Sequence, residues 1–219
     1  MNPDLQHFLT VLEKERVDRK NIGAIVMNCN PFTRGHRYLI EQAQKAVDFL
    51  YIFVVEEDSS DFSFEDRFSI VKENCVDLTN IKVLPSGKYM ISSITFAEYF
   101  QKEDLQEEQT IIPTMDIRLF GQAIAPTLGI KKRFVGEEPL DKVTNQYNEA
   151  MKDMLPGYGV ELIEIPRLEI ESGEPINATK VRKLISEGNL KECEKYLTRA
   201  TYLYIEKNFK RICQSLKKI

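Results

Sequence analysis

Apolar positions along the chain follow two rhythms. Near the start, Leu5, Phe8, Leu9 and Leu12 recur at i, i+3, i+4 and i+7, one face of a helix, and the pattern predicts an amphipathic helix over residues 4–20. Residues 22–27 (IGAIVM) and 49–55 (FLYIFVV) are instead unbroken apolar runs closed by loop-forming or acidic residues. Such runs mark strands buried on both faces of a parallel sheet. Between them Tyr38, Leu39, Ala43 and Ala46 keep helical spacing over 37–47. The helix expected over 63–78 opens on Ser63, with Asp66 as its capping partner, and Phe64, Phe68, Val71 and Cys75 form its inner stripe. A third strand over 81–84 stops at Pro85, Ser86 and Gly87.

The second half continues the alternation. A helix is expected over 95–102, followed by a polar connection over 101–109. Another helix spans 116–128, disturbed near its end by Pro126, and a strand over 132–135 meets Gly136. A helix over 143–154 is stopped by Pro156 and Gly157; a fifth strand covers 160–165; helices cover 178–186, 190–196 and 201–218. Strands alternating with helices at this pitch imply βαβ units with right-handed crossovers. The expected fold is α/β: a Rossmann-like, parallel, five-stranded sheet with helices on both faces, plus N- and C-terminal helices. Three segments follow, with an N-terminal helix or linker at 1–20, the sheet domain at 21–187 and a helical extension at 188–219. Ligands of such a sheet sit at the carboxyl ends of its strands.

Composition narrows the class. The 219 residues are 42% hydrophobic and 29% charged, which excludes a disordered chain, a collagen or a small disulfide scaffold. Thirty Lys and Arg against 34 Asp and Glu give a net charge of −4, so nucleic-acid binding by bulk electrostatics is not expected. Cys29, Cys75, Cys193 and Cys213 show no C-x-x-C spacing, which excludes a zinc ribbon or thioredoxin-like motif and points to free thiols. The N-terminus is too charged for a secretory segment, and no apolar run approaches the length of about 18 residues that a membrane span needs. A soluble, cytoplasmic protein without a membrane partner is expected. The basic end, with Leu203, Phe209, Ile212 and Leu216 interleaved, is expected to dock on the domain or on a second copy in a homo-oligomer.

The chemistry concentrates after the first strand, in Asn30-Pro31-Phe32-Thr33-Arg34-Gly35-His36. Gly35 lets backbone approach a ligand closely. The N–H groups that open the following helix favour an anion. Thr33 adds a hydroxyl and His36 a ring donor, so the loop is suited to a phosphate and to charge that builds during attack at phosphorus. Taken singly, each residue has a plainer account. A lone histidine at a helix start is commonly a cap, Arg182 a solvated helix residue, and Glu137 and Glu138 an acidic turn before Pro139. Lys88 and Asp116 lean towards structural roles, His7 towards an inert position and Cys29 towards a small buried thiol.

Thr33-x-Gly35-His36 resembles the Thr/His-x-Gly-His signature of the nucleotidyltransferase superfamily. Its second signature, Ile-Ser-x-Ser/Thr-x-x-Arg, is matched by Ile176-Asn177-Ala178-Thr179-Lys180-Val181-Arg182, with Asn177 as an equally good helix cap in place of serine. IGAIVMNCNPFTRGHRYLIEQA, FSFEDRF, KYMISSITFAEYF, IAPTLGIKKRFVGEEP and VTNQYNEAM together resemble the catalytic C-terminal half of the citrate lyase ligase family, over about residues 5–187. Members of that family carry an N-terminal acetyltransferase-like domain, which this chain is expected to lack; its first helix resembles the joining segment.

The resemblance implies an adenylyl-transferring enzyme. Acetate attacks the α-phosphate of ATP, pyrophosphate leaves, and the acetyl group passes to the thiol of the citrate lyase carrier protein. The alternative is a stand-alone nucleotidyltransferase that activates another small acid or a phosphate ester with ATP or CTP. A non-catalytic nucleotide-binding module is the third reading. Under the first, His36 and Thr33 serve the phosphates with Asn30 and Gly35, while Arg182, Thr179, Asn177 and Ile176 hold the leaving pyrophosphate. Gly136, Glu137 and Glu138 line ribose and base. Lys88 faces the acyl or phosphate substrate and Asp116 is polar lining. Mg²⁺ bridges phosphate oxygens and keeps several waters, so no dedicated set of protein ligands is expected.

Overall fold

The computed structural model describes residues 3–56, 60–92, 95–96, 113–139 and 141–216. Five strands, β1 (Ile22–Met27), β2 (Phe49–Val54), β3 (Ile81–Pro85), β4 (Ile130–Gly136) and β5 (Glu161–Ile165), form one sheet in the order β3-β2-β1-β4-β5. Every neighbouring pair is parallel. β1 is central, paired from Ile22↔Phe49 to Met27↔Val54 on one side and at Ala24↔Arg133 on the other. The expected α/β, Rossmann-like sheet is therefore present, and its strand order reverses between β1 and β4, the position where such sheets open a crevice.

Alternation along the strands sends residues to two separate cores. On one face Ile25, Met27, Ile52 and Phe134 pack with α2 (Arg34–Lys45), α3 (Phe64–Glu73) and α7 (Ala178–Ser186). The same core takes in Ile205 of α8 (Arg199–Lys207) and Ile212 of α9 (Phe209–Leu216). On the other face Ala24, Tyr51 and Phe53 pack with α1 (Pro3–Glu13), α4 (Thr114–Leu119), α5 (Ala125–Leu128) and α6 (Lys142–Met154). Among the described residues no helix is long and apolar enough to cross a membrane. The four cysteines are free, and burial pushes the Cys29 thiol well above its ordinary range.

Several boundaries differ from the periodicity. α1 ends at Glu13 rather than 20, because tertiary bonds take over the backbone. Tyr51 Oη donates to the Glu15 carbonyl (2.6 Å), and Arg16 Nη1 donates to the Thr127 carbonyl (3.3 Å). α2 begins three residues early, at Arg34, since Thr33 supplies its cap. The helix expected over 116–128 runs as α4, a wide π-turn over Phe120–Ile124, and α5. The wide turn relieves the clash and the missing N–H that Pro126 imposes on a helix interior. The single helix expected over 201–218 is two helices broken at Asn208, whose Nδ2 donates back to the Tyr204 carbonyl (2.9 Å). Residues 95 and 96 are not helical, and the rest of the expected 95–102 helix and the polar connection lie outside the described residues.

The C-terminal helices dock on their own domain. Asn74 Nδ2 donates to Thr201 Oγ1 (3.0 Å). Arg211 places Nη1 and Nη2 on the two Asp66 carboxylate oxygens (2.7 and 2.8 Å), and Ser215 Oγ donates to the Asp61 carbonyl (3.3 Å).

Gly23 marks the tightest point of the first core. A methyl group there would lie 2.7 Å from Phe134 Cε2 and 3.0 Å from Val47 Cγ1. Gly23→Ala is expected to lower unfolding stability by about 1–3 kcal/mol through overpacking. Urea denaturation followed by circular dichroism checks this; an unchanged midpoint would show that the strand is not packed so closely.

Candidate functional site

β1 delivers the chain to a loop at the carboxyl edge of the sheet, and Thr33 turns that loop into α2. Thr33 is buried and forms a reciprocal cap: its Oγ1 accepts from the His36 N–H (3.4 Å), and its own N–H donates to His36 Nδ1 (2.9 Å). Thr33 Oγ1 also lies 2.8 Å from His36 Nδ1. With Nδ1 used as an acceptor, the neutral ring carries its proton on Nε2. Phe32 stacks on the ring at a centroid distance of 5.5 Å. Burial, and then the positive charge of Arg167, push the His36 pKa down to about 4. At neutral pH His36 is thus an uncharged donor.

The late helix reaches the same corner. Asn177 caps α7 by accepting the Thr179 N–H on Oδ1 (2.7 Å). One turn further, Arg182 donates from Nη1 to the Asn30 carbonyl (2.7 Å) across 152 positions of sequence. Its Nη2 donates to Thr179 Oγ1 (3.2 Å) and its Nε pairs with Asp61 Oδ2 (2.8 Å). Asp61 Oδ2 also accepts from Asn30 Nδ2 (3.0 Å). A methyl on Gly35 would lie 3.6 Å from Ile176 Cγ2, so a side chain at position 35 would meet the second signature segment. The starts of α2 and α7, where Arg34, His36 and Thr179 N–H groups are bonded to the Tyr196 carbonyl, Thr33 and Asn177, together with the His36 ring and the Arg182 guanidinium, make a corner whose dipoles and donors suit an anion.

The end of β4 adjoins it. Gly136 leaves open space where a side chain would stand, and its carbonyl accepts from Asn148 Nδ2 (3.0 Å). Glu137 is exposed. Glu138 pairs with Arg167 and accepts the Asp141 N–H (3.1 Å), while Arg167 Nε donates to the Glu137 carbonyl (2.8 Å). The positive charge of Arg167, held at the β4 end, also bears on His36. Two other sequence-derived residues stand apart. Lys88, in a short 3-10 turn after β3, pairs with Asp4 of α1 (3.1 Å) at a cavity of about 740 Å³ that His7 and Phe8 also line. Asp116 is fully buried on the second face and accepts from the Ile91 N–H (2.6 Å), the Thr95 hydroxyl (2.8 Å) and the Tyr147 hydroxyl (2.5 Å).

Sequence reasoning did not single out Asp61, Arg67 or Arg167. Arg67 alone left a local trace: a charged residue one position from the Phe64–Phe68–Val71 stripe, where long cations are rarely buried unless paired. It is fully buried and donates from Nε to the Phe62 carbonyl (3.0 Å) and from Nη1 to the carbonyls of Val55 (2.5 Å) and Asn28 (3.0 Å). Among the described residues no group of three or more His, Cys, Asp or Glu side chains converges as a metal site.

Comparison with known proteins follows this geometry. The family model described as citrate lyase ligase C-terminal domain matches residues 22–205. A [citrate [pro-3S]-lyase] ligase of Klebsiella pneumoniae is 40% identical over 193 residues, covering 84% of this chain and 55% of the relative. One from Haemophilus influenzae is 41% identical over 208 residues, covering 93% and 62%. The chain therefore spans a little over half the length of these curated relatives. The crystal structure of Thermotoga maritima TmcAL bound with alpha-thio ATP superposes with a TM-score of 0.56 at 12% identity, over 87% of this chain and 56% of that one, a likeness of fold alone.

His36 and His7 are the two histidines of the chain, so their ring resonances are easily separated by proton NMR. The His36 ring is expected to titrate near pH 4, below the ordinary 6.5, and to move upward when a triphosphate is added. A midpoint at or above 6.5 in the free protein would contradict the part-buried, capped ring. The linked stability has a defined sign. The unfolded ring takes up its proton near pH 6.5 and the folded ring only near 4, so the His36 contribution is intact above pH 6.5 and is lost as pH falls through that window.

Proposed function

Because the chain belongs to the citrate lyase ligase C-terminal domain family, we propose that it adenylylates a small carboxylate. A carboxylate oxygen, acetate's in the first instance, attacks the α-phosphorus of ATP; the bond to the bridging oxygen breaks and pyrophosphate leaves with the electron pair. The acyl-adenylate then passes its acyl group to a thiol on a carrier protein, with release of AMP. The observation that carries the reading is the Arg182 bond to the Asn30 carbonyl, which joins the two signature segments into one anion-binding corner.

The roles follow from the donors. His36 Nε2–H stabilises charge that develops on the α-phosphate, and Thr33 fixes the tautomer that makes this donor available. Arg182, Thr179 and the start of α7 take the β- and γ-phosphates as they become pyrophosphate. The open space at Gly136 receives ribose or base, flanked by Glu137 and Glu138. The corner offers donors rather than converging carboxylates, so Mg²⁺ would arrive on the phosphate oxygens with its waters. Positioning and charge stabilisation then account for most of the rate enhancement.

Acid-dependent exchange of labelled pyrophosphate into ATP tests the first half-reaction. Exchange is expected with acetate and Mg²⁺; its absence with acetate and other small acids, together with turnover of a phosphorylated small molecule, would select the phosphate-ester alternative. His36→Ala is expected to lower the exchange rate about 10²- to 10³-fold, with ATP half-saturation changed far less. Equal losses in both quantities would assign His36 to ground-state binding instead.

A further inference from the structure

A cavity of about 740 Å³ lies between α1 and the edge strand β3, on the second face of the sheet. Small-molecule sites typically span about 300–1,000 Å³. Phe8 and Val11 of α1 form one wall, and Leu84 and Tyr89 the other. Phe8 packs on Tyr89 at a centroid distance of 4.9 Å, and Val11 is left 43% exposed. The cavity is elongated. Glu15 stands at one end, paired with Lys82 near the start of β3. Asp4 stands at the other, paired with Lys88 beyond the end of β3 (3.1 Å). The 11 residues of α1 between those pairs make about 16 Å of helix.

The Lys88 end opens at the tips of the strands. Glu56, which also lines it, follows Val55, whose N–H donates to the Met27 carbonyl at the end of β1 (3.0 Å). Arg67 Nη1 ties the Val55 carbonyl to that of Asn28. Glu56 thus stands one strand spacing, about 5 Å, to the side of the loop that leads to Thr33 and His36. Charge selects the occupant. Asp4, Glu15 and Glu56 line the cavity against one lysine, and Asp4 already holds that lysine. Glu56 bonds through its N–H, to Ser86 Oγ (2.9 Å), and its carboxylate has no partner among the described residues. A free carboxylate at this end repels acetate, phosphate or any other anion. Long apolar walls suit an extended, uncharged chain.

We propose that the cavity receives the arm that presents the acyl-accepting thiol of the carrier protein, an uncharged extended chain whose sulfur end passes Glu56 to meet the acyl-adenylate. This rests on the two-step reading above. The carrier stays outside, at the Glu15 end. The sulfur bonds to the acyl carbon as the bond to the AMP oxygen breaks; AMP leaves with that electron pair, and the thiol proton goes to water.

Pantetheine, a neutral amide chain that ends in a thiol, is the probe. With ATP, acetate and Mg²⁺, wild type is expected to acetylate it. Val11→Trp narrows the cavity from an exposed position; pantetheine half-saturation is expected to rise about 10- to 100-fold there, while acetate-dependent pyrophosphate exchange stays within about twofold. Pantothenate, which ends in a carboxylate, is expected to compete at least about tenfold more weakly than pantetheine binds, and Glu56→Gln to narrow that gap. Unchanged half-saturation in Val11→Trp, including a case where that variant only dissolves a dimer, would overturn the assignment, as would pantothenate that competes as well as pantetheine binds. If the urea midpoint shows Val11→Trp to be unfolded, Val11→Asp takes its place with the same expected rise, and no rise would overturn the proposal. A carrier protein bearing the arm is expected to half-saturate at least about tenfold below free pantetheine; equal values would make a free thiol the acceptor and overturn the carrier assignment. Wild type that exchanges with no acid would defeat the adenylylation reading, while pantetheine binding by saturation-transfer NMR, lost in Val11→Trp, would still uphold the cavity as the arm's site.

Discussion

Arg67 ties together the strand ends on which the rest of the molecule depends. Parallel strands finish at one edge in loops whose carbonyls meet no further strand, and those groups must be bonded if they are buried. From α3, Arg67 donates to the loop after β1, to the residue that follows β2 and to the segment that opens its own helix. A buried guanidinium without such acceptors would cost several kcal/mol, so the cation and the three carbonyls stabilise one another's positions. Asn30 and Asp61 sit in segments that this arrangement holds, and Asp61 in turn directs Arg182.

The charges of the corner are paired. At the rim where α2, α7 and the β4 end meet, Arg167 is held by Glu138 and Arg182 by Asp61, with the helix N-termini between them. His36 stays uncharged there because burial and Arg167 both disfavour its protonated form. A neutral ring adds no charge beside these ion pairs, and the cap on Nδ1 leaves a single nitrogen free to donate. One cap therefore starts a helix and selects a tautomer.

β1 and β2 were legible in the sequence because each is a continuous apolar run, and that run follows directly from burial on two faces; β3, β4 and β5 carry charged residues and were legible from the alternation with helices. The two signature segments were legible because their residues are contiguous and their caps are local: Thr33 and Asn177 announce helix starts by residue type alone. Asp61, Arg67 and Arg167 could not be read in the same way. Their partners lie far along the chain or in the backbone, and a carbonyl acceptor leaves no mark in a sequence. The same holds for the boundaries that differed. α1 stops where Glu15 and Arg16 find partners in β2 and α5, and the final helix breaks where Asn208 turns on its own backbone.

The docking of α9 has a mechanical consequence. Arg211 grips Asp66 and Ser215 touches Asp61, so the short stretch between those acidic residues is braced from the tail as well as from α7. Strain applied to the final helix would reach the Arg182 guanidinium through a single short segment of main chain. The tail thus works as a splint, and the stiffness of the corner between α2 and α7 is set partly by residues of the final helix.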